Sequence, residues 1–369
     1  MPWGVGFLLC LLFATKYAIL HSYKRKGALC MEKLWLLRIA HFCVDFGCAF
    51  LCLGYAEENI HFYLLIYNFC AFALQMPLGL LVDRFGKQYR IAGVGVLLTG
   101  VAMFLLYHPL IGCITAGVGN ALFHVGGGVY VLKGCEDKCT PLGKFVAPGA
   151  LGLFLGGYFT SEWAYIRPVV IFILFFMAVV LLFGKSDEAA AEEPSVVPAV
   201  SALTKKNATA LFLLFIVVVL RSVAGFQFGF SWKQGVTALL FAVAVMCGKE
   251  LGGALSDRFG MRKTSLVSLL LCSVLFVFSG SSAVCGILAV LLFNCTMPVT
   301  LYGAFSILKG LPGFSFGLLT FALFLGLLPS YFGFSMSEHA AAFGVGAGAV
   351  SVALLLPGLL LSDTECKKA

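Results

Sequence analysis

The chain has 369 residues, of which 61% are hydrophobic and 11% charged, and its mean hydropathy is +1.00. Soluble domains carry about 25% charged residues, so the composition excludes a soluble globular protein and points to a membrane. The net charge of +8 does not mark a nucleic-acid binder, because the basic residues sit in short loops between apolar runs and form no clustered face.

The apolar runs are continuous and about 20 residues long, as membrane helices require, with none of the alternation of a β-barrel. Residues 3–20 form the first run, followed by the basic stretch His21-Ser-Tyr-Lys-Arg-Lys26. A secretory signal carries its charge before its apolar core, so residues 1–33 are expected to be an uncleaved extra helix and a basic loop. A start at Met31 is the alternative. Twelve spans follow, at 34–55, 60–82, 90–107, 109–132, 143–160, 165–184, 207–230, 236–256, 264–280, 283–303, 311–330 and 339–361. The first six form an N-terminal bundle over 34–184 and the last six a C-terminal bundle over 207–361. Between them, 185–206 is rich in Ala, Glu, Pro and Ser and reads as a solvated linker; 362–369 is a short tail. The expected fold class is all-α: a polytopic membrane protein of two six-helix bundles.

The two bundles repeat one another. Gly79-Leu-Leu-Val-Asp83-Arg84-Phe-Gly86 returns as Gly253-Ala-Leu-Ser-Asp257-Arg258-Phe-Gly260, shifted by 174 residues, and Asn120 returns as Asn294 at the same offset. Such internal repetition is a mark of transporters. Placing the linker inside puts all but six of the 25 Lys and Arg in inner loops and the tail. Arg167 and Lys233 fall outside, and Lys16, Arg38, Arg221 and Lys249 lie within spans. By the positive-inside rule, the linker and C-terminus are expected in the cytoplasm and the chain in the inner (cytoplasmic) membrane.

Ionisable side chains inside a bilayer are costly unless paired or facing water, so each is a functional candidate. Arg38, His41 and Asp45 share one face of the first span, and Asn120 and His124 share one face of the fourth. The seventh span contributes Arg221 and Gln227, the tenth Asn294 and Thr296; Gln75 and the Lys249/Glu250 pair lie elsewhere. Asp45 is the candidate proton-carrying acid, with His41 and His124 as coupling partners, since a carboxyl that moves between desolvated and cation-paired settings takes up and releases a proton. A packing role for Asp45, paired with Arg38, is the structural alternative. Arg221 has no acidic partner in its own span and is suited to binding a carboxylate, phosphonate or phosphate; a structural pair is its alternative. The 14 Cys are scattered. Cys135 and Cys139 lack a second pair to complete a zinc site, so no metal and no cofactor are expected.

The stretch Gly79–Arg90 resembles motif A of the major facilitator superfamily, the loop between helices 2 and 3, and 253–263 resembles the equivalent loop between helices 8 and 9. With the two six-helix halves, the resemblance covers residues 34–361. His41-Phe-Cys-Val-Asp45 and Gly119-Asn-Ala-Leu-Phe-His124 look like the fosmidomycin-resistance branch, although Val125 stands where that branch usually has Pro. The resemblance implies a gate built from Gly79, Asp83, Arg84, Gly86 and Arg90 and from Gly253, Asp257, Arg258 and Gly260. It also implies a central cavity lined by helices 1, 4, 7 and 10, which would place Arg38, Asn120, Arg221, Gln227 and Asn294 toward a substrate. The Gly/Pro-rich run Val146–Gly157 loosely resembles an antiporter motif, with its Gly-Pro order missing.

The expectation is a secondary active transporter, working as a monomer by alternating access on a small organic solute, anionic or amphipathic, with protons and the lipid bilayer as its other partners. Proton-coupled efflux is the first reading; proton-coupled uptake or facilitated diffusion is the alternative, and a non-transporting sensor or assembly protein is the alternative from another class. No metal cluster or Walker-type loop argues for an enzyme or for ATP-driven transport.

Overall fold

The computed structural model describes residues 28–55, 59–135, 137–184 and 203–364. The extra helix expected at 3–20, most of the linker and the end of the tail lie outside the described residues. We number the helices α1 (Ala28–Gly54), α2 (Ile60–Phe85), α3 (Gln88–Ala102), α4 (Pro109–Gly134), α5 (Thr140–Val146 and Pro148–Tyr158) and α6 (Trp163–Phe183) in the first half. The second half holds α7 (Lys205–Gln227), α8 (Gly235–Phe259), α9 (Met261–Val277), α10 (Ala283–Asn294 and Met297–Ile307), α11 (Pro312–Tyr331) and α12 (Ala340–Leu361). These match the expected spans in number and order. Among the described residues, nine helical stretches are long and apolar enough to cross a membrane; one of them, Thr140–Phe183, contains both α5 and α6. The remaining two helices, α3 and α9, have 15 and 17 residues.

Local chemistry sets the helix boundaries. Pro109 and Pro312 start α4 and α11, where a missing N–H costs nothing. The Thr204 and Ser282 side chains cap α7 and α10 by accepting the N–H of Asn207 and Cys285. Gly86 and Gly260 end α2 and α8 at φ of +68° and +93°, a region that side chains disfavour. Three helices are interrupted mid-course. A π-turn at Phe69–Ala73 lies inside α2, Pro148 breaks α5, and a turn before Met297-Pro298 breaks α10. Irregular backbone at such depth is tolerated where it is buried in protein.

Packing repeats with the sequence. The pairs α1–α5, α3–α4, α3–α6 and α2–α4 in the first half reappear as α7–α11, α9–α10, α9–α12 and α8–α10 in the second. The halves meet mainly through α2 with α11 and α5 with α8, and also through α4 with α11 and α10 with α5; the same offset exchanges the members of each set. Large apolar side chains on the outer faces stay exposed, among them Phe172, Phe176 and Phe183 on α6 and Val267, Leu270 and Val274 on α9. That surface is suited to hydrocarbon.

Candidate functional site

The two charged turns of the repeat hold the halves together at one face of the molecule. Asp83, at the end of α2, accepts the backbone N–H of Gly313 through Oδ1 at 2.7 Å and that of Phe314 through Oδ2 at 2.9 Å. Asp257, at the end of α8, accepts the N–H of Cys139 through Oδ1 at 2.7 Å and that of Thr140 through Oδ2 at 2.9 Å, and the Thr140 hydroxyl also donates to it. Each carboxylate thus satisfies orphan donors at the positive end of a helix in the opposite half, α11 or α5. The donors are themselves 174 residues apart. Neither aspartate bonds to an arginine: the partners are backbone N–H groups and, for Asp257, the Thr140 hydroxyl as well. Arg84 and Arg258 are exposed and lie over the rings of Phe85 and Phe259, at 5.8 and 5.2 Å; Arg90 is exposed on α3.

Glycines make these contacts possible. A Cβ on Gly79 would stand 2.1 Å from the Gly313 carbonyl oxygen, and one on Gly253 would stand 2.7 Å from that of Cys139. Gly317 and Gly143 continue the pattern one turn further in, facing the carbonyl oxygens of Gln75 and Lys249 at 2.2 and 2.5 Å. Gln75 and Lys249 are again 174 apart.

Nearer the centre, Arg38 on α1 donates through Nη2 to both carboxylate oxygens of Glu250 on α8, at 3.2 and 3.0 Å. Lys249 Nζ donates to the Val146 carbonyl at 3.3 Å. Arg38 is therefore engaged in an ion pair between the halves and is not free to receive a solute anion, nor does it pair with Asp45.

His41, Asp45, Asn120 and His124 are brought together, two from α1 and two from α4. His41 Nε2 lies 3.3 Å from Asp45 Oδ2 and His124 Nε2 lies 3.8 Å from Asp45 Oδ1. Asn120 Nδ2 donates to Asp45 Oδ1 at 2.9 Å. Asp45 and His41 are 6% and 4% exposed. The break at Pro148 brings Gly149 against them: a Cβ there would stand 2.2 Å from Asp45 Oδ2 and 2.4 Å from His41 Nε2. The rings of Phe123 and Phe145 pack on His41 and help keep the cluster dry.

The tautomers follow from the hydrogen-bond network. His41 Nδ1 lies 2.7 Å from the Phe145 carbonyl oxygen and His124 Nδ1 lies 2.9 Å from that of Asn120. A carbonyl only accepts, so both Nδ1 atoms carry hydrogen. In neutral rings both Nε2 atoms are then bare acceptors, yet they face each other at 2.9 Å with a carboxylate alongside. Three acceptors in mutual contact need a cation among them, and the simplest is one proton on the histidine pair. The three donor atoms lie within 4.8 Å of one another, so a divalent metal would use the same atoms. Imidazoles whose second nitrogen binds a carbonyl are suited to either occupant.

In the second half Arg221 is 8% exposed and donates to the hydroxyl oxygens of Thr296 at 3.4 Å and Thr300 at 3.3 Å. Among the described residues no carboxylate lies within ion-pair distance of it. Gln227 lies elsewhere: its Oε1 accepts the Met336 N–H at 2.6 Å and its Nε2 donates to the Phe334 carbonyl, which ties down the segment before α12. Asn294 donates to the Val290 carbonyl in its own helix and packs beside Gly248. Sequence reasoning gave no role to Lys249 and Glu250, which it placed apart from the other in-span polar groups, and passed over Gly149 and Thr300. The first two were visible as charges inside a span, and the 174-residue offset ties Lys249 to Gln75.

No protein-family profile matches the sequence, and no curated protein sequence matches it. Solved structures do. An Asn-to-Ala variant of the E. coli fucose:proton symporter FucP aligns with a TM-score of 0.64 at 12% identity, covering 90% of this chain and 98% of that one. A structure of the major facilitator superfamily transporter FucP in the outward conformation aligns at 0.59 and 12% identity, over 88% and 97%. The chain has the major facilitator fold.

Proposed function

We propose that this protein is a proton-coupled secondary transporter that carries a small organic solute by alternating access between its two halves. The observation that carries the reading is the approach of His41 Nε2 to His124 Nε2 beside Asp45, a buried group of acceptors between packed helices that a bound proton would satisfy. The paired aspartate caps supply the other half of the mechanism. Asp83 and Asp257 hold α11 and α5 against the opposite bundle, and both bonds must break for that face to open. The Lys/Arg bias makes it the cytoplasmic face of the inner membrane, so the described conformation is closed to the cytoplasm.

The run Val146–Gly157, which suggests efflux, does not by itself set the direction of transport. A packing role accounts for Gly149, Gly152 and Gly156: each meets α1 closely, at Asp45 and His41, at the Phe42 carbonyl and at the Phe46 carbonyl. Uptake with the proton is the direction we carry forward, and the related fold of a fucose:proton symporter is consistent with it. A non-transporting role would leave the buried proton site and the two breakable caps without a use.

The test is a thermal-stability screen of metabolites at pH 6 and pH 8, followed by flux of a stabilising solute in proteoliposomes. Asp45→Asn should lose accumulation driven by a proton gradient while keeping solute counterflow. Unchanged gradient-driven accumulation in that variant would remove the proposal.

A further inference from the structure

The charge of the second half is unbalanced where the first half is balanced. Arg221 has five N–H donors and only two long bonds to hydroxyls. Those hydroxyls are committed in turn: Thr296 donates to the Phe293 carbonyl and Thr300 to that of Met297, so each offers only lone pairs to the guanidinium. Burying a guanidinium without a counter-anion is costly, and no acidic side chain among the described residues relieves it. Arg221 borders a cavity of about 30 Å³ lined also by Val146, Thr300, Phe316 and Thr320. A water needs roughly 10–15 Å³ by this kind of measure, so the space takes a group of two or three heavy atoms and not a whole metabolite. Val146, on the cavity wall, is the residue whose carbonyl holds Lys249.

We propose that Arg221 seats the carboxylate of a small organic acid, and that this anion binds and moves together with the proton on the His41–Asp45–His124 cluster. The direction of coupling rests on the proton-coupled reading; the anion seat does not. Around the cluster, the other charged or titratable groups are Cys48 and Tyr67 near Asp45, Lys249, and the Arg38–Glu250 pair. The last is internally neutral. Counting Asp45, Lys249 and Arg221, the centre carries one net positive charge without the extra proton and two with it. Protonation therefore strengthens the attraction for an anion, and by linkage the anion strengthens the hold on the proton. One carboxylate and one proton together add no net charge, so the transport step is electroneutral. The cavity's size implies that the carboxylate enters the pocket first, while the apolar body of the acid is accommodated by movement of α5 and α11, which supply Val146, Phe316 and Thr320 to the wall.

The experiment measures binding to the full-length protein in nanodiscs by calorimetry at pH 6 and pH 8. The probes are propionate, hexanoate and benzoate, their primary amides, and inorganic phosphate. At least one carboxylate should bind and its amide should not. Affinity should be about 5- to 150-fold higher at pH 6, the range of typical coupling between sites. Arg221→Gln should weaken binding roughly 100-fold, as loss of a buried charged partner does, and Arg221→Lys should restore part of it. Gly225→Ala, on the same helix but with nothing within 4 Å of its Cβ position, and thermal melting of each Arg221 variant control for misfolding. Asp45→Asn should retain carboxylate binding and lose its pH dependence. Equal binding of acid and amide, full affinity in Arg221→Gln, preference for phosphate, or no carboxylate binding at all would overturn the anion seat. Carboxylate binding that depends on Arg221 but not on pH would leave the seat standing and defeat the coupling.

Discussion

Asp83 and Asp257 make the same bond in opposite directions: each caps a helix of the other half, and both the acceptors and the donors are related by 174 residues. Neither cap involves an arginine, so the closed face is held by carboxylate and helix dipole. A hydrogen bond to a charged group is worth about 1.5–3 kcal/mol, and each aspartate makes at least two.

The first prediction concerns these caps. Asp83→Asn and Asp257→Asn should each shift the population toward an open charged-turn face, by similar amounts. Spin-label distances between the ends of α2 and α11, and of α8 and α5, would record it. The double variant should open further than either single one, and a single variant that fully opens both contacts would show that the caps are not independent.

Close backbone approach sets a second expectation. Gly79→Ala forces a Cβ to within 2.1 Å of a backbone oxygen, whereas Gly225 has nothing within 4 Å of its Cβ position. Gly79→Ala should lower the melting temperature and separate α2 from α11. Gly225→Ala should be neutral or stabilising by up to about 1 kcal/mol, since it removes a helical glycine. Gly253→Ala, with 2.7 Å of room, should fall between them.

The Arg38–Glu250 pair spans the halves, so its two single variants should hurt more than its removal as a unit. Arg38→Gln leaves Glu250 with an unpaired charge and should cost about 2–4 kcal/mol, and Glu250→Gln should behave alike. The double variant should recover most of that loss in a thermal-melting cycle. Simple additivity would mean that the pair is solvated and energetically idle.

Much of this was legible in the sequence because it depends on periodicity. The twelve spans follow from apolar length, and Asp83 and Asp257 from the repeat. One-face spacing gives His41 with Asp45 and Asn120 with His124 on their own helices, and the packing implied by the family resemblance is what sets the two faces together. What the sequence did not carry was the pairing between distant helices. Nothing local distinguishes Arg38, paired with Glu250 on α8, from Arg221, which has no acid beside it. Gln227 and Asn294 look the same as cavity amides until the Met336 N–H and the Val290 carbonyl are seen to occupy them. Gly149 is one glycine among 42, and only the packed structure sets it against Asp45.

The proton proposed at the histidine pair is the point on which the proposed mechanism turns, and it can be sought without knowing the solute. Nitrogen-15 NMR of histidine-labelled protein in nanodiscs, titrated from pH 5 to pH 9, resolves protonated from bare imidazole nitrogens. The account predicts that His41 and His124 share one added proton and lose it in a single coupled transition. That transition should move in Asp45→Asn and vanish when either histidine is replaced by Gln. Two rings that stay neutral throughout, each with a bare Nε2 indifferent to Asp45 and to the other, would contradict it.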